Sequence, residues 1–264
     1  MGFYPRRGRY DYAEKSGIIS RTNFPREVVE MKNRVIIFTG ILILNWNLSL
    51  SVFAATVSGR VQFNGTVPEP QRVNMNADPV CAGLHREPVF LQEVAVNADR
   101  TLRNVFVYVK EGFEGRTFET PAAKVILDQK GCQYEPHVFG IQIHQTLEIL
   151  NSDSTLHNVH GMPTVSKEFN LGMPIKGMKL TRKFDQPEVM VKFKCDVHPW
   201  MRSYAGVLTH PFFSVTGEEG SFEIMSLPAG SYVIEAWHEK LGTQSQNVTV
   251  DEAGSLNLDF TFSG

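Results

Sequence analysis

The sequence predicts an all-β protein that contains two β-sandwiches. Short apolar runs recur along the chain and are punctuated by Gly and Pro, as in the series of residues 221–224, a turn at 228–230 and a second run at 232–237. In a strand over residues 189–195, Val189, Val191, Phe193 and Cys195 would lie on one face and Met190, Lys192 and Lys194 on the other, which is typical of a strand with one buried face. The roughly 210 residues after position 54 are more than one sandwich needs, so we expect a second unit.

The N-terminal region has the pattern of an export signal. Residues 31–34 are basic, residues 35–53 are apolar, and small residues follow, so we predict a signal peptide at 31–54 that is cleaved before Ala55. Asn45 and Asn47 interrupt the apolar stretch, and an uncleaved membrane anchor is the alternative. Residues 1–30 are polar and rich in arginine, and we interpret them as a non-native or disordered extension before the true start. We therefore expect a periplasmic or otherwise exported protein, which would associate with the membrane only if the signal segment is not cleaved.

A compact group of metal ligands lies at residues 195–201. Cys195 ends the alternating run on its apolar side, so we expect it to point inward, and steps of three residues bring His198 and Met201 around one turn. Residues 157–160 supply a second imidazole from another strand end. A thiolate, two imidazoles and a weak axial thioether form the ligand set of a blue-copper electron-transfer site. The alternative is a buried structural cysteine beside a surface histidine.

These two segments resemble those of the cupredoxins, and the CxxHxxM loop is amicyanin-like. The resemblance covers residues 122–210. It implies that His157, Cys195 and His198 are the equatorial ligands, and Met201 the axial ligand, of one type 1 copper ion. It also implies that His160 does not bind the metal.

The same resemblance has consequences around the ligands. It implies that His198 reaches the surface within an apolar patch that includes Pro199 and Trp200, where electrons would leave. Asp196 follows the ligand cysteine at a position where the family often has Ser or Thr, and Asn158 is its expected hydrogen-bond partner.

The C-terminal segment resembles a different kind of domain. Residues 216–237 read TxxxGxFxIxxLPxGxYxIxxW, which is similar to the transthyretin-like domains that accompany carboxypeptidases. In those domains the opening strands read like residues 57–65 and 104–109. We therefore expect residues 55–120 and 211–264 to form the two parts of a transthyretin-like sandwich, with a cupredoxin domain at 121–210 inserted between them. The alternative is three units in tandem. His238 and Glu239 are expected to be surface polar residues.

The resemblance implies an exported type 1 copper protein that carries single electrons between redox partners, such as a cytochrome or a dehydrogenase. Multicopper oxidases and copper nitrite reductases need further histidines for a catalytic copper, and the sequence shows no such pattern, so we expect neither an enzyme nor a small-molecule substrate. A copper carrier or sensor of the cell envelope is the main alternative, and a structural surface module with a vestigial site is another. Zinc could bind two histidines and a cysteine, but methionine is a poor fourth ligand for it.

Charge and cysteine content agree with export. The chain has a formal charge of −2, and without residues 1–54 it keeps 18 Lys and Arg against 24 Asp and Glu, a charge of −6. An acidic chain is not expected to bind nucleic acid. In an oxidising compartment Cys81 and Cys132 are free to pair, which leaves Cys195 for the metal; two separate buried thiols are the alternative.

Overall fold

The computed structural model describes residues 55–252 and 254–264, and the fold of this part is almost entirely β-structure. The predicted extension at 1–30 and signal segment at 31–54 lie outside the described residues. Among the described residues, no helix is both long enough and apolar enough to cross a membrane. The all-β prediction is confirmed.

One short helix and seventeen strands make up the described part of the chain. They are, in order, β1 (Ala55–Asn64), α1 (Pro79–Leu84), β2 (Phe106–Glu111), β3 (Val125–Lys130), β4 (Gln133–Glu135), β5 (Val138–Gln142), β6 (Leu147–Asn151), β7 (His157–Met162), β8 (Phe169–Met173), β9 (Lys179–Arg182), β10 (Glu188–Lys194), β11 (Arg202–Leu208), β12 (Phe213–Val215), β13 (Ser221–Leu227), β14 (Gly230–His238), β15 (Gly242–Val250), β16 (Ser255–Asn257) and β17 (Phe260–Ser263).

The strands form four sheets, which pack as two pairs. In the first pair, β13, β1 and β16 with β17 form one sheet, and β12, β2, β14 and β15 form the other. Buried side chains from both sheets share one hydrophobic core, to which β1 contributes Val57 and Val61 and β14 contributes Ile234. β1 pairs antiparallel with β13 and parallel with β16 and β17, so residues 55–64 contact strands from the last 50 residues of the chain.

The second pair of sheets lies within residues 125–208. One sheet has the order β5, β11, β10, β7, β8, and the other has the order β4, β3, β6, β9. Val191 and Phe193 point into their shared core, and Lys192 between them is exposed, which confirms the predicted alternation from Val191 onward. Val189 was expected on the same inward face, but it is half-buried outside this core, where the pairing of β10 with β11 shifts its register. Cys195 continues the inward face and is buried.

A third apolar cluster joins the two pairs of sheets. Phe106 of β2 packs with Val138 of β5 and Leu208 of β11. The close approach requires a glycine at position 206, because a Cβ atom there would lie 2.3 Å from the Phe106 ring. Position 140 is restricted in the same way by the ring of Phe213.

The surface assignment of His238 and Glu239 is wrong. Both side chains are buried, and Glu239 Oε1 is hydrogen-bonded to His137 Nε2 in the second pair of sheets. Glu239, in the turn after β14, therefore contacts the other sandwich through His137, whereas the His238 ring packs 6.0 Å from the Phe262 ring in its own sandwich. One oxygen of Glu239, Oε2, is buried without a hydrogen-bond partner among the described residues.

Candidate metal centre

The thiol and one imidazole come from the turn between two paired strands. Lys194, the last residue of β10, pairs with Arg202, the first residue of β11, so residues 195–201 close a hairpin. Inside this turn the N–H of His198 donates to Cys195 Sγ over 3.4 Å, and the N–H of Met201 donates to His198 O over 3.0 Å. The turn therefore holds the three predicted ligands of this segment close together, and all three are buried.

The second imidazole is delivered by β7, which lies next to β10. His157 is the first residue of β7 and is fully buried. Its Nε2 lies 3.0 Å from Asp153 Oδ2. Asp153 is fixed in turn, because its two oxygens accept the backbone N–H groups of Gly131 and Cys132 over 2.9 and 2.7 Å. When a carboxylate accepts the Nε2–H of an imidazole, the ring is held in position and Nδ1 is left to bind a metal. Metal-binding histidines are commonly oriented by such a carboxylate.

His198 is oriented in the same way by a residue far away in sequence. Its Nε2 lies 3.0 Å from Oδ2 of Asp78, which caps the N-terminus of α1. Burial acts to raise the pKa of the Asp78 carboxyl, but hydrogen bonds from Thr155, His198 and two backbone N–H groups outweigh it and lower the pKa to about 2. The carboxylate is therefore ionised and available as an acceptor at neutral pH.

The two free imidazole nitrogens face each other across the centre. His157 Nδ1 and His198 Nδ1 are 2.9 Å apart, and Cys195 Sγ lies 3.8 Å from His198 Nδ1. The donor atoms of all three residues lie within 4.8 Å of one another. Met201 is buried in the same hydrophobic core cluster as Cys195. Two imidazole nitrogens and a cysteine sulfur, with the predicted methionine ligand in the same hairpin turn, fit copper better than magnesium or calcium, which prefer oxygen ligands.

Protonation of the cluster follows from these contacts. Burial acts to lower the pKa of His157, but hydrogen bonds to Asp153 and Cys195 outweigh it and raise the pKa to about 9. Burial lowers the pKa of His198, against the opposing contact with Asp78. Burial acts to raise the pKa of the Cys195 thiol, but hydrogen bonds from His157 and from backbone N–H groups lower it.

A polar network surrounds the thiol side of the centre. Asn158 Oδ1 accepts the N–H of Asp196 over 2.7 Å, and Asn158 Nδ2 donates to Asp196 Oδ2 over 3.1 Å. The expected partnership of these two residues is confirmed. His160 Nδ1 lies 3.1 Å from Asp196 Oδ2, and its Nε2 contacts Glu168. His160 is thus engaged by two carboxylates and is absent from the cluster of donor atoms.

The expected surface position of His198 is wrong. The residue is 2% exposed, and Asp78 lies at the edge that was expected to meet solvent. The Trp200 ring packs 5.1 Å from the His198 ring, and its Nε1–H donates to Cys132 O over 2.9 Å. The segment around α1, which precedes residues 121–210 in sequence, covers this edge.

The predicted disulfide between Cys81 and Cys132 is present, with its Cα atoms 5.6 Å apart. It lies beside the centre: Cys81 Sγ is 3.6 Å from His198 Nε2. Sequence reasoning missed this placement, as well as the roles of Asp78 and Asp153. The Asp-Pro pair at 78–79 is a signal for a helix N-cap, but nothing local connects it with His198.

The chain matches no protein-family model and no curated protein. Solved structures with local similarity include a copper-containing nitrite reductase from Thermus scotoductus SA-01. The match is 20% identical, covers 36% of this chain and 26% of the reductase, and has a TM-score of 0.29. This chain thus spans about a quarter of that reductase. A purple cupredoxin from Nitrosopumilus maritimus has 23% identity over 32% of this chain and 98% of its own, with a TM-score of 0.28. A variant of amicyanin in its reduced state is 21% identical over 38% of this chain and 97% of its own chain, with a TM-score of 0.29.

Proposed function

We propose that this protein is an exported type 1 copper protein that carries single electrons between redox partners. His157, Cys195 and His198 are the proposed equatorial ligands of one copper ion, and Met201 is the proposed axial ligand. The observation that carries the proposal is the pair of Nδ1 atoms 2.9 Å apart, each on an imidazole whose Nε2 is held by a carboxylate, with Cys195 beside them.

The surroundings of these residues suit electron transfer. The ligands come from β7 and from a hairpin turn in a five-stranded sheet, so packing holds their positions. A copper ion bound there supplies a one-electron couple whose potential depends on the axial ligand and on hydrogen bonding around the cysteine sulfur. The N–H of His198 that donates to Cys195 Sγ is one such hydrogen bond.

The chain organisation is also a proposal. Residues 121–210 form the proposed cupredoxin domain, and residues 55–120 and 211–264 form the two parts of a transthyretin-like sandwich around it. The pairing of β1 with β13, β16 and β17 supports this inserted arrangement over three units in tandem.

The proposal is tested by visible and electron paramagnetic resonance spectra of the purified protein loaded with cupric ion. We expect an intense thiolate-to-copper absorption band and narrow copper hyperfine splitting, both lost in Cys195→Ala. His160→Ala is the matched control, because it removes a nearby histidine outside the donor cluster, and it should keep the spectrum. A colourless wild-type protein, or a spectrum that survives the loss of Cys195, would contradict the type 1 assignment.

A copper carrier or sensor is the second candidate, and one observation favours it. Burial of His198 under Asp78 closes the ligand edge at which the electrons were expected to leave. A carrier would release copper readily to a chelator and exchange electrons slowly. An electron carrier would retain copper in both oxidation states and react rapidly with a small redox reagent such as ferricyanide.

A further inference from the structure

The outer edge of His198 is covered by a short segment from outside the proposed cupredoxin domain. We call residues 78–84 the cap. Its first residue, Asp78, lies 120 positions before His198 in sequence and is 3.0 Å from it through Oδ2 and Nε2. Cys81, within α1, places Sγ 3.6 Å from the same Nε2. His198 is 2% exposed as a result.

Asp78 has a fixed orientation in the cap. Oδ1 accepts the backbone N–H groups of Val80 and Cys81 over 2.8 and 3.3 Å, and Oδ2 accepts the hydroxyl of Thr155 over 2.8 Å. The first two bonds position the carboxylate at the start of α1, and the third attaches it to the loop that precedes β7. The remaining acceptor position of Oδ2 faces His198.

The disulfide joins the cap to the carboxylate that holds the other histidine. Cys81 is bonded to Cys132, and the N–H of Cys132 donates to Asp153 Oδ2 over 2.7 Å. That same oxygen lies 3.0 Å from His157 Nε2. Each imidazole is therefore backed by a carboxylate, and one covalent bond connects the backbone segments beside the two carboxylates.

From this arrangement we propose that Asp78 is a positioning residue of the metal centre and that the Cys81–Cys132 disulfide latches it in place. The inference rests on the proposed function. Asp78 accepts the Nε2–H of His198, which presents Nδ1 to the metal and prevents the ring from turning outward. Its negative charge stabilises the more positive oxidation state of the centre and thus lowers the reduction potential.

The latch can be opened chemically. An external dithiol transfers two electrons and two protons to the disulfide, so that Cys81 and Cys132 become thiols and the dithiol becomes a disulfide. The cap is then attached only by non-covalent contacts. The double variant Cys81→Ser/Cys132→Ser reproduces this state without a reductant that would also reduce cupric ion.

The first test measures access to His198 in the metal-free protein, by its rate of modification with diethyl pyrocarbonate followed by peptide mass spectrometry. We expect slow modification in the wild type and a rate about tenfold higher or more in Asp78→Ala and in the double serine variant, because a hydrogen bond to a charged group is lost or its support is removed. Asp99→Asn changes an exposed carboxylate away from the centre and should match the wild type. Equal rates in all variants would overturn the proposal.

The second test measures the reduction potential of the copper-loaded Asp78→Asn variant. The amide keeps an oxygen that can accept the Nε2–H but removes the charge, so we expect a shift to a more positive potential with the absorption band retained. This conservative variant also gives the result if Asp78→Ala fails to fold. An unchanged potential would overturn the electrostatic role.

The two tests separate this inference from the proposed function. Modification rates need no copper, so a rate increase in Asp78→Ala supports the cap even if the loaded protein lacks the blue spectrum, an outcome that overturns only the type 1 assignment. The opposite outcome is that the wild-type protein is blue, but Asp78→Asn leaves the reduction potential unchanged and Asp78→Ala leaves the modification rate of His198 unchanged. This outcome overturns only the inference.

Discussion

Two buried histidines outside the proposed metal centre should make the protein lose stability in mild acid. Burial lowers the pKa of His210 to about 4, against an opposing hydrogen bond to Val109. Burial also lowers the pKa of His238 to about 4. The hydrogen bonds also favour the neutral form of each histidine. Nδ1 of His210 accepts the N–H of Phe212, and Nδ1 of His238 accepts the N–H groups of Lys240 and Leu241. A proton on either Nδ1 would break these bonds.

The size and the sign of the effect follow from proton linkage. A histidine in an unfolded chain has an ordinary pKa of 6.5, and the folded value of about 4 lies below it, so between these values the unfolded state binds more protons than the folded state. The stabilising contribution is fully present above pH 6.5, falls as the pH drops toward 4, and changes no further below that. Between pH 7 and pH 5 the loss is about 2 kcal/mol for each residue, or about 4 kcal/mol together.

The assay is urea unfolding of the metal-free protein, followed by tryptophan fluorescence at several values between pH 7 and pH 5. In the matched variant His210→Asn/His238→Asn, the amide oxygens can accept the same backbone N–H groups but do not titrate. Its free energy of unfolding at pH 7 is lower than that of the wild type because packing is lost. Between pH 7 and pH 5, however, the variant should lose about 4 kcal/mol less of this free energy than the wild type does. His198 titrates in both proteins and cancels in the difference. Parallel pH curves for the two proteins would refute the reasoning.

Three further perturbations test the packing of the two sandwiches and the cap, each by urea unfolding at pH 7. Removing one partner of the buried His137–Glu239 pair, as in His137→Ala, should cost about 3 kcal/mol because it leaves a buried carboxylate unpaired; a loss below about 1 kcal/mol would mean that the pair does not join the sandwiches. Gly206→Ala places a Cβ 2.3 Å from an aromatic ring and should cost about 1 to 3 kcal/mol, whereas Gly172→Ala meets no atom within 4 Å and should be tolerated; equal effects would contradict the close packing. Reduction of the disulfide, which spans 51 residues, should cost about 4 kcal/mol by the chain-entropy argument, and unchanged stability would argue against its closure in solution.

The sequence was informative wherever the relevant residues are neighbours in the chain. Cys195, His198 and Met201 lie within one hairpin turn, so the spacing alone was enough to predict that they lie close together. The alternation of β10 predicted which face the cysteine occupies, because the period of a strand leaves only two choices.

The contacts that the sequence did not predict join distant segments. Asp78 is 120 residues from His198, and a polar residue before a proline is explained sufficiently by its role as a helix cap. Glu239 was expected at the surface because its partner, His137, lies 102 positions away. No local pattern distinguishes a carboxylate that contacts a buried histidine from one that faces water, so the burial of His198 was not predicted either.

The cap also bears on how the Cys195 thiol would persist in the oxidising compartment that we propose. Hydrogen bonds lower the pKa of Cys195, and a thiolate is the form of cysteine that oxidants attack. Cys195 is 2% exposed, and the edge of the centre formed by His198 is closed by a segment whose disulfide is stable under the same oxidising conditions. In that exported location, the oxidising conditions that threaten the Cys195 thiol are therefore the same conditions that keep the disulfide of the cap closed. Reducing conditions would open the cap, but they would also remove the oxidants from which the thiol needs protection.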